Sequence, residues 1–134
     1  MGVKIKGKYV GDLRCMLTHQ TGEKIKTDAP LDNHGKGEAF SPTDLVAAAL
    51  GSCMITIIAI RANTKGIEIG QPSYRIEKEM QSSPRTIKEI AIEICFSKSL
   101  TDADKKFLEA EAKSCPVALS LSTEVLQNIT FKYT

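Results

Sequence analysis

Residues 41–62 read SPTDLVAAALGSCMITIIAIRA, and this stretch decides the fold. Its first residues predict a helix start, because Ser41 can cap the first turn and Pro42 suits the first helical position. Asp44, three residues after Ser41, extends this capping pattern with a short acid. The following run, Leu45–Ile60, contains no charged residue. The stretch therefore predicts one long helix that is buried on all sides.

Small residues within this helix indicate what surrounds it. The uncharged run is shorter than the roughly 18 residues that a membrane span requires, and Gly51, Ser52 and Thr56 interrupt it. Small side chains allow a second backbone to approach a helix closely. We therefore predict a central core helix that ends at Gly66, covered by sheets or by a partner subunit, and we expect no membrane partner.

The chain on either side of this helix predicts short strands and one further helix. Residues 4–19 and 23–30 flank Gly22 and indicate a β-hairpin, because glycine supplies the positive φ of a tight turn. Residues 31–40 lack periodicity and indicate a surface loop. The later elements are strands over residues 74–80 and 87–96, a helix that starts at Thr101 and is broken at Pro116, and a strand over residues 129–133. This order predicts a single α+β domain over residues 1–134.

Composition excludes several classes of function. Eighteen basic and 16 acidic residues give a net charge of +2, and these charges are scattered along the chain. The sequence therefore predicts neither nucleic acid nor an anionic membrane as a partner. Residues 1–10 lack the apolar segment of a secretory signal, so we expect a cytoplasmic protein. His19 and His34 lack ligand spacing with any thiol, and we expect neither a metal nor a cofactor.

In a reducing cytoplasm the four cysteines are expected to be free thiols rather than a structural disulfide framework. Cys15 lies in phase with apolar residues of a strand, which is typical of a packing role. Cys95 has no cation or helix end near it in the sequence. We expect both of these thiols to be chemically inert.

The other two cysteines lie in helical sequence. Pro116 can begin a new helix, which would leave Cys115 at its cap position, with the sulfur near free N–H groups that favour a thiolate. A kinked helix with a buried cysteine explains the same residues equally well. Cys53 lies in the middle of an apolar helix, where a thiolate is disfavoured unless a cation is supplied. The candidate cations near the hairpin are Arg14, His19 and Lys36.

Two cysteine motifs carry a family resemblance. FSPTDLVAAALGSCM at residues 40–54 is followed, 62 residues after Cys53, by CPVALSL at residues 115–121. Together they resemble the OsmC/Ohr family of osmotically induced and organic hydroperoxide resistance proteins. The likeness extends from the hairpin ending in TDAP over nearly the whole chain. It implies an intertwined α+β homodimer in which antiparallel sheets of both chains enclose the long helix, with sites at the interface.

The resemblance also implies a thiol-dependent peroxidase. In active members one cysteine attacks an organic hydroperoxide and becomes a sulfenic acid, which a second cysteine resolves as an intramolecular disulfide. By this comparison Cys53 attacks and Cys115 resolves. Arg14 corresponds to the arginine that stabilises the thiolate and the departing alkoxide. A dithiol, such as a lipoyl group, would then reduce the disulfide.

One position departs from the family's peroxidases. They have a glutamate ten residues before the attacking cysteine, where this chain has Thr43. Glu38 and Asp44 are nearby substitutes, although Asp44 is expected to cap its helix. The difference predicts weaker or different activity and leaves an alternative open, a non-catalytic dimeric module that binds a hydrophobic or electrophilic small molecule. Whether Cys53 and Cys115 approach each other discriminates between the two.

Overall fold

Strands and helices follow in the predicted order, with one additional strand near the start of the chain. The computed structural model describes residues 1–134. Its elements are β1 (Ile5–Gly11), β2 (Arg14–His19), β3 (Lys24–Asp28), α1 (Pro42–Lys65), β4 (Ser73–Gln81), β5 (Thr86–Cys95), α2 (Asp102–Ala112), α3 (Pro116–Ser120) and β6 (Leu126–Lys132). The α+β class is thus confirmed. The chain divides into two compact units, residues 1–46 and residues 47–134. The single domain predicted over residues 1–134 stays a prediction.

The first unit contains an antiparallel sheet in the order β1-β2-β3. The predicted turn between β2 and β3 is confirmed, with Gly22 at a φ of 95°. The prediction of one strand over residues 4–19 is wrong, because the chain reverses at Asp12 and Leu13, both with positive φ. Two successive positive φ values suit a two-residue hairpin, but leucine is seldom found there. Three strands therefore form where the sequence indicated two.

Residues 31–40 form the predicted loop, which begins with a single 3-10 turn. Its backbone forms hydrogen bonds with the two residues that follow β3. The Gly35 amide donates to the Pro30 carbonyl over 3.0 Å, and the Gly37 amide donates to the Ala29 carbonyl over 3.1 Å. The loop therefore follows a path that its own backbone hydrogen bonds determine.

An alanine at Gly35 is expected to destabilise this loop. A Cβ atom there would lie 1.8 Å from the carbonyl oxygen of Ala29, a backbone atom that also accepts a loop hydrogen bond. We expect Gly35→Ala to lower the free energy of unfolding by about 2 kcal/mol, the usual cost of overpacking, in urea denaturation followed by circular dichroism. Gly2→Ala is the matched control, since a Cβ there meets nothing within 4 Å. Equal stability of the two variants would contradict the close approach.

Both predicted ends of α1 are confirmed. The Asp44 amide donates to Ser41 Oγ over 3.1 Å, and the Ser41 amide donates to Asp44 Oδ2 over 2.9 Å. This reciprocal pair satisfies two amides that the first helical turn leaves without partners. At the other end Gly66 has a φ of 68°, and the Ile67 amide donates a hydrogen bond to the Ala62 carbonyl over 2.8 Å. The helix is 24 residues long.

Within one chain, α1 is buried along one side only. The buried residues recur every three or four positions and are Ala47, Leu50, Gly51, Met54, Ile58 and Ala62. The other side carries an exposed stripe of four residues, Ala49, Ser52, Thr56 and Ile60. Burial on all sides is therefore wrong for a single chain. By length and composition alone α1 could also cross a membrane, but the core helix of a soluble protein meets the same criterion.

The second unit contains a sheet in the order β4-β5-β6. β4 and β5 are antiparallel as predicted, but β6 runs parallel to β5, so the prediction of antiparallel sheets is wrong for this pair. The connection through α2 and α3 is long enough to carry the chain back along the sheet. The predicted buried face of β5 is confirmed for Ile90, Ile92, Ile94 and the adjoining Phe96. Helix α1 packs closely on this sheet, because a Cβ at Gly51 would lie 2.5 Å from the Ile76 side chain.

Candidate functional site

Cys115 lies between α2 and α3 and caps the shorter helix. Its backbone is extended, with φ −62° and ψ 131°, and Pro116 follows as the first residue of the helix. The Ala118 amide donates to the Cys115 sulfur over 3.3 Å. The predicted cap position is therefore confirmed, and the break that Pro116 introduces is what turns the sulfur toward a free backbone N–H.

The structure brings the two helical cysteines together. Cys115 is completely buried, whereas Cys53, on α1, retains partial exposure. Cys53 packs against the buried core that contains Cys115, and its thiol is near enough to raise the pKa of Cys115, although 62 residues separate the two in the chain. All four cysteines are free thiols. The fold thus brings these two distant positions of the chain near each other.

The surroundings of Cys115 keep its thiol protonated. Burial raises the pKa of Cys115, and the contact with Cys53 raises that pKa further, while the Ala118 amide opposes both effects. The expectation that a helix cap would favour a thiolate at Cys115 is therefore wrong. Desolvation of a charged sulfur outweighs the backbone amides of Val117 and Ala118, at the start of this five-residue helix.

Arg14 belongs to a second cluster of charged residues, in the first unit. It faces Asp28 across the β2–β3 pair, and its Nη2 lies 3.4 Å from Asp28 Oδ2. The same nitrogen forms an ion pair with Glu38. The Glu38 contact is the main reason that the pKa of Arg14 is raised, with Asp28 contributing as well. Of the predicted site residues, Arg14 and Glu38 are thus brought together.

Sequence reasoning missed Asp28. Its side chain is completely buried, and Oδ2 accepts a hydrogen bond from the Glu38 amide over 3.0 Å. That hydrogen bond, together with Arg14, lowers the pKa of Asp28 despite the opposing effect of burial. A signal was present, because Asp28 belongs to the TDAP segment that contributes to the family resemblance. Its position opposite Arg14 follows from the start of β2 at Arg14, which no local sequence signal marks.

The remaining candidates contribute less. Asp44 forms the helix cap described above, as expected. The Cys95 thiol donates to Glu93 Oε1 over 3.6 Å, and Cys15 is partly buried in β2. His19 Nδ1 lies 2.8 Å from Thr21 Oγ1. No group of three or more His, Cys, Asp or Glu side chains is placed to hold a metal ion.

Comparison with known proteins identifies the family to which this chain belongs. A family model described as OsmC-like protein matches residues 35–130. The chain belongs to the OsmC-like family. A crystal structure from Psychrobacter arcticus 273-4, provisionally named an osmotic stress induced and detoxification response protein, is 43% identical. It covers 98% of this chain and 97% of its own, with a TM-score of 0.92. The predicted OsmC/Ohr family and OsmC-like fold are therefore confirmed.

More distant structures share the fold of this OsmC-like protein. The organic hydroperoxide resistance protein OsmC of Legionella pneumophila is 20% identical, with a TM-score of 0.80 and coverage of 98% of this chain and 97% of its own. The organic hydroperoxide resistance protein OhrB of Bacillus subtilis is 18% identical, with a TM-score of 0.72 and coverage of 98% of both chains. No match was found among curated proteins.

Proposed function

We propose that this OsmC-like protein is a thiol-dependent peroxidase that reduces organic hydroperoxides with Cys53 and Cys115. The proximity of the two thiols supports this proposal most directly, because resolution of a sulfenic acid requires a second sulfur within reach. The chain belongs to the OsmC-like family, and two structures with the same fold are named organic hydroperoxide resistance proteins. These names support organic hydroperoxides as the substrate class.

The reaction proceeds in three steps. The Cys53 thiolate attacks the outer peroxide oxygen, the O–O bond breaks, and the alkoxide leaves and takes up a proton as the alcohol. Cys53 is now a sulfenic acid. The Cys115 sulfur attacks it, the S–O bond breaks, and hydroxide leaves with the Cys115 proton as water. A dithiol, such as a lipoyl group, reduces the new disulfide by exchange and becomes a disulfide itself. We place this cycle in the reducing cytoplasm, where such dithiols are available.

The surroundings of the two thiols suit this division of roles. Cys115 is completely buried and its pKa is raised, so at neutral pH it is a protonated thiol that a peroxide cannot reach. Cys53 retains partial exposure and is open to attack by a peroxide. Arg14 is proposed as the cation beside the attacking thiolate, and this assignment rests on the family resemblance. Glu38, the predicted substitute for the family glutamate, forms an exposed ion pair with Arg14.

A count of free thiols tests the proposal. Fully reduced protein is treated with one equivalent of cumene hydroperoxide per chain, denatured and titrated with a thiol reagent. We expect the four free thiols per chain to fall to two, since one bridge consumes two of them. A count that stays at four would contradict the peroxidase and favour the alternative, a dimeric module that binds a hydrophobic or electrophilic small molecule. Loss of a single thiol would contradict the resolving role of Cys115.

We also propose that the functional form is a homodimer. The exposed stripe of α1 is uncharged, and the first sheet leaves Ile5, Tyr9 and Ile25 largely exposed. Exposed apolar side chains and an uncharged helix face are features of surfaces that bind another protein. A helix covered on one side by its own sheet can bury its other side against a second copy.

An arginine in the exposed stripe is expected to dissociate this dimer. Ser52→Arg would place an unpaired charge in the interface, at a cost of about 3 kcal/mol or a roughly 100-fold weaker dimer. Sedimentation equilibrium should find twice the chain mass of 14.6 kDa for the wild type and a monomer for the variant at micromolar concentration. Ser82→Arg, in the exposed turn between β4 and β5, is the matched control and should remain dimeric. A monomeric wild type would contradict the proposal.

A further inference from the structure

Arg14 has two carboxylate partners, which differ in burial and in the element to which they belong. Asp28 is 1% exposed and belongs to a strand, whereas the Glu38 side chain is 63% exposed and belongs to a loop. We propose that Asp28, rather than Glu38, is the positioning residue that holds Arg14 in place for hydroperoxide reduction. This inference rests on the proposed function, because it assigns Arg14 a part in that reaction.

The backbone fixes the position of the Asp28 carboxylate. Asp28 lies directly opposite Arg14 in the β2–β3 register. Its amide donates to the Phe40 carbonyl over 3.1 Å, and the next amide, that of Ala29, donates to the Leu13 carbonyl over 3.2 Å. Hydrogen bonds to chain segments on both sides therefore hold this residue. A carboxylate on such a backbone can determine where a guanidinium lies.

The Asp28 side chain is equally constrained. Oδ2 accepts from the Glu38 amide over 3.0 Å and lies 3.4 Å from Arg14 Nη2. The same contacts lower the pKa of Asp28, so this carboxylate stays ionised throughout the neutral range. Glu38 makes its ion pair from a solvated side chain, and exposed pairs of this kind contribute little because water and rotamer entropy compete with them.

Two atoms without partners point to the same pairing. Arg14 Nε and Asp28 Oδ1 are both buried, and neither has a hydrogen-bond partner. Burying such atoms unpaired is costly. Guanidinium and carboxylate groups commonly form two parallel hydrogen bonds, and Nε with Oδ1 is the second half of such a fork beside the existing Nη2–Oδ2 contact. A two-pronged pair of this kind would satisfy both buried atoms.

Isosteric amides at the two carboxylates separate their roles. Asp28→Asn keeps an acceptor for the Glu38 amide but removes the charge that faces Arg14. Glu38→Gln removes the other charge. We expect Asp28→Asn to lower kcat/KM for cumene hydroperoxide, with dithiothreitol as the dithiol, by about 100-fold, the effect of a displaced catalytic group. We expect Glu38→Gln to lower it by about fivefold or less.

A second measurement reports on Arg14 itself. The rate at which phenylglyoxal modifies Arg14, followed by peptide mass spectrometry of the full-length protein, depends on how firmly the guanidinium is held. We expect faster modification in Asp28→Asn than in Glu38→Gln, in protein whose circular dichroism matches the wild type. A merely structural role for Asp28 would change the stability of the protein but not the reactivity of Arg14 while the protein is folded.

The outcomes are distinct. Folded Asp28→Asn with unchanged turnover, or a larger loss in Glu38→Gln than in Asp28→Asn, would overturn the assignment. If Asp28→Asn does not fold, the modification rate of Arg14 in Glu38→Gln tests the assignment by itself. Rapid modification in that variant would show that Glu38 holds Arg14 and would overturn the proposal. Slow modification would support Asp28. If the wild type consumes no hydroperoxide, the peroxidase proposal fails. The modification rates then still test whether Asp28 holds Arg14, and equal rates in the two variants would refute it.

Discussion

Cys53→Ser is expected to abolish hydroperoxide reduction, whereas Cys115→Ser is expected to leave an enzyme that inactivates itself. A serine hydroxyl is not ionised at neutral pH and cannot replace the attacking thiolate. Without Cys115, the first turnover still produces a sulfenic acid at Cys53, but no neighbouring thiol resolves it. A further peroxide molecule then oxidises that sulfur to the sulfinic acid, which dithiols do not reduce. Activity should therefore decline with each addition of peroxide.

Peptide mapping after peroxide treatment checks both variants. Wild-type protein should contain a bridge between Cys53 and Cys115, and Cys115→Ser should accumulate sulfinic acid at Cys53. The remaining two thiols provide matched controls, because Cys15 lies in a strand and Cys95 donates to Glu93. Cys15→Ser and Cys95→Ser should retain full turnover. If either control loses activity while its fold survives, the thiols are assigned wrongly.

Arg14→Met is expected to lower kcat/KM for organic hydroperoxides by about 100-fold to 1000-fold, the effect of removing one group that stabilises developing negative charge. Methionine retains much of the aliphatic length but removes the cation that is proposed to stabilise the thiolate and the departing alkoxide. Because it also leaves buried Asp28 without its counter-ion, circular dichroism of the variant must accompany the rate measurement.

Arg61→Met is the matched control for this substitution. Arg61 Nε forms an ion pair with Glu111 over 3.1 Å, and both side chains are partly exposed, so little stability should be lost. We expect its turnover to match the wild type. An Arg14→Met variant that is folded and equally active would exclude Arg14 from the reaction and leave the thiol pair to act without it.

Local sequence signals predicted the elements that short-range hydrogen bonds define. The cap at Ser41 and Asp44 and the cap at Cys115 depend on side chains within three residues of the amides they bind. The stop at Gly66 depends on the positive φ of that residue. Such features can be read from single positions because the chemistry and the backbone geometry belong to the same few residues.

Features that depend on distant parts of the chain could not be read in this way. Asp12 and Leu13 form a hairpin turn with no glycine at either central position, so the sequence pattern predicts β1 and β2 as a single strand. That error hid the register that sets Arg14 opposite Asp28. The burial that raises the pKa of Cys115 is likewise a property of the packed unit, which no local pattern reveals.

The separation of the two thiols along the chain has a thermodynamic consequence. A bridge between Cys53 and Cys115 would enclose all of β4, β5 and α2 in one covalent loop. Closing a loop of this length removes about 4 kcal/mol of conformational entropy from the unfolded chain. Forming the disulfide is therefore more favourable in the folded protein than between the same cysteines in the unfolded chain. This difference corresponds to a reduction potential that is lower by about 90 mV in the folded protein. A reductant able to regenerate the thiols must overcome this bias, which a strongly reducing dithiol does more readily than a single thiol such as glutathione.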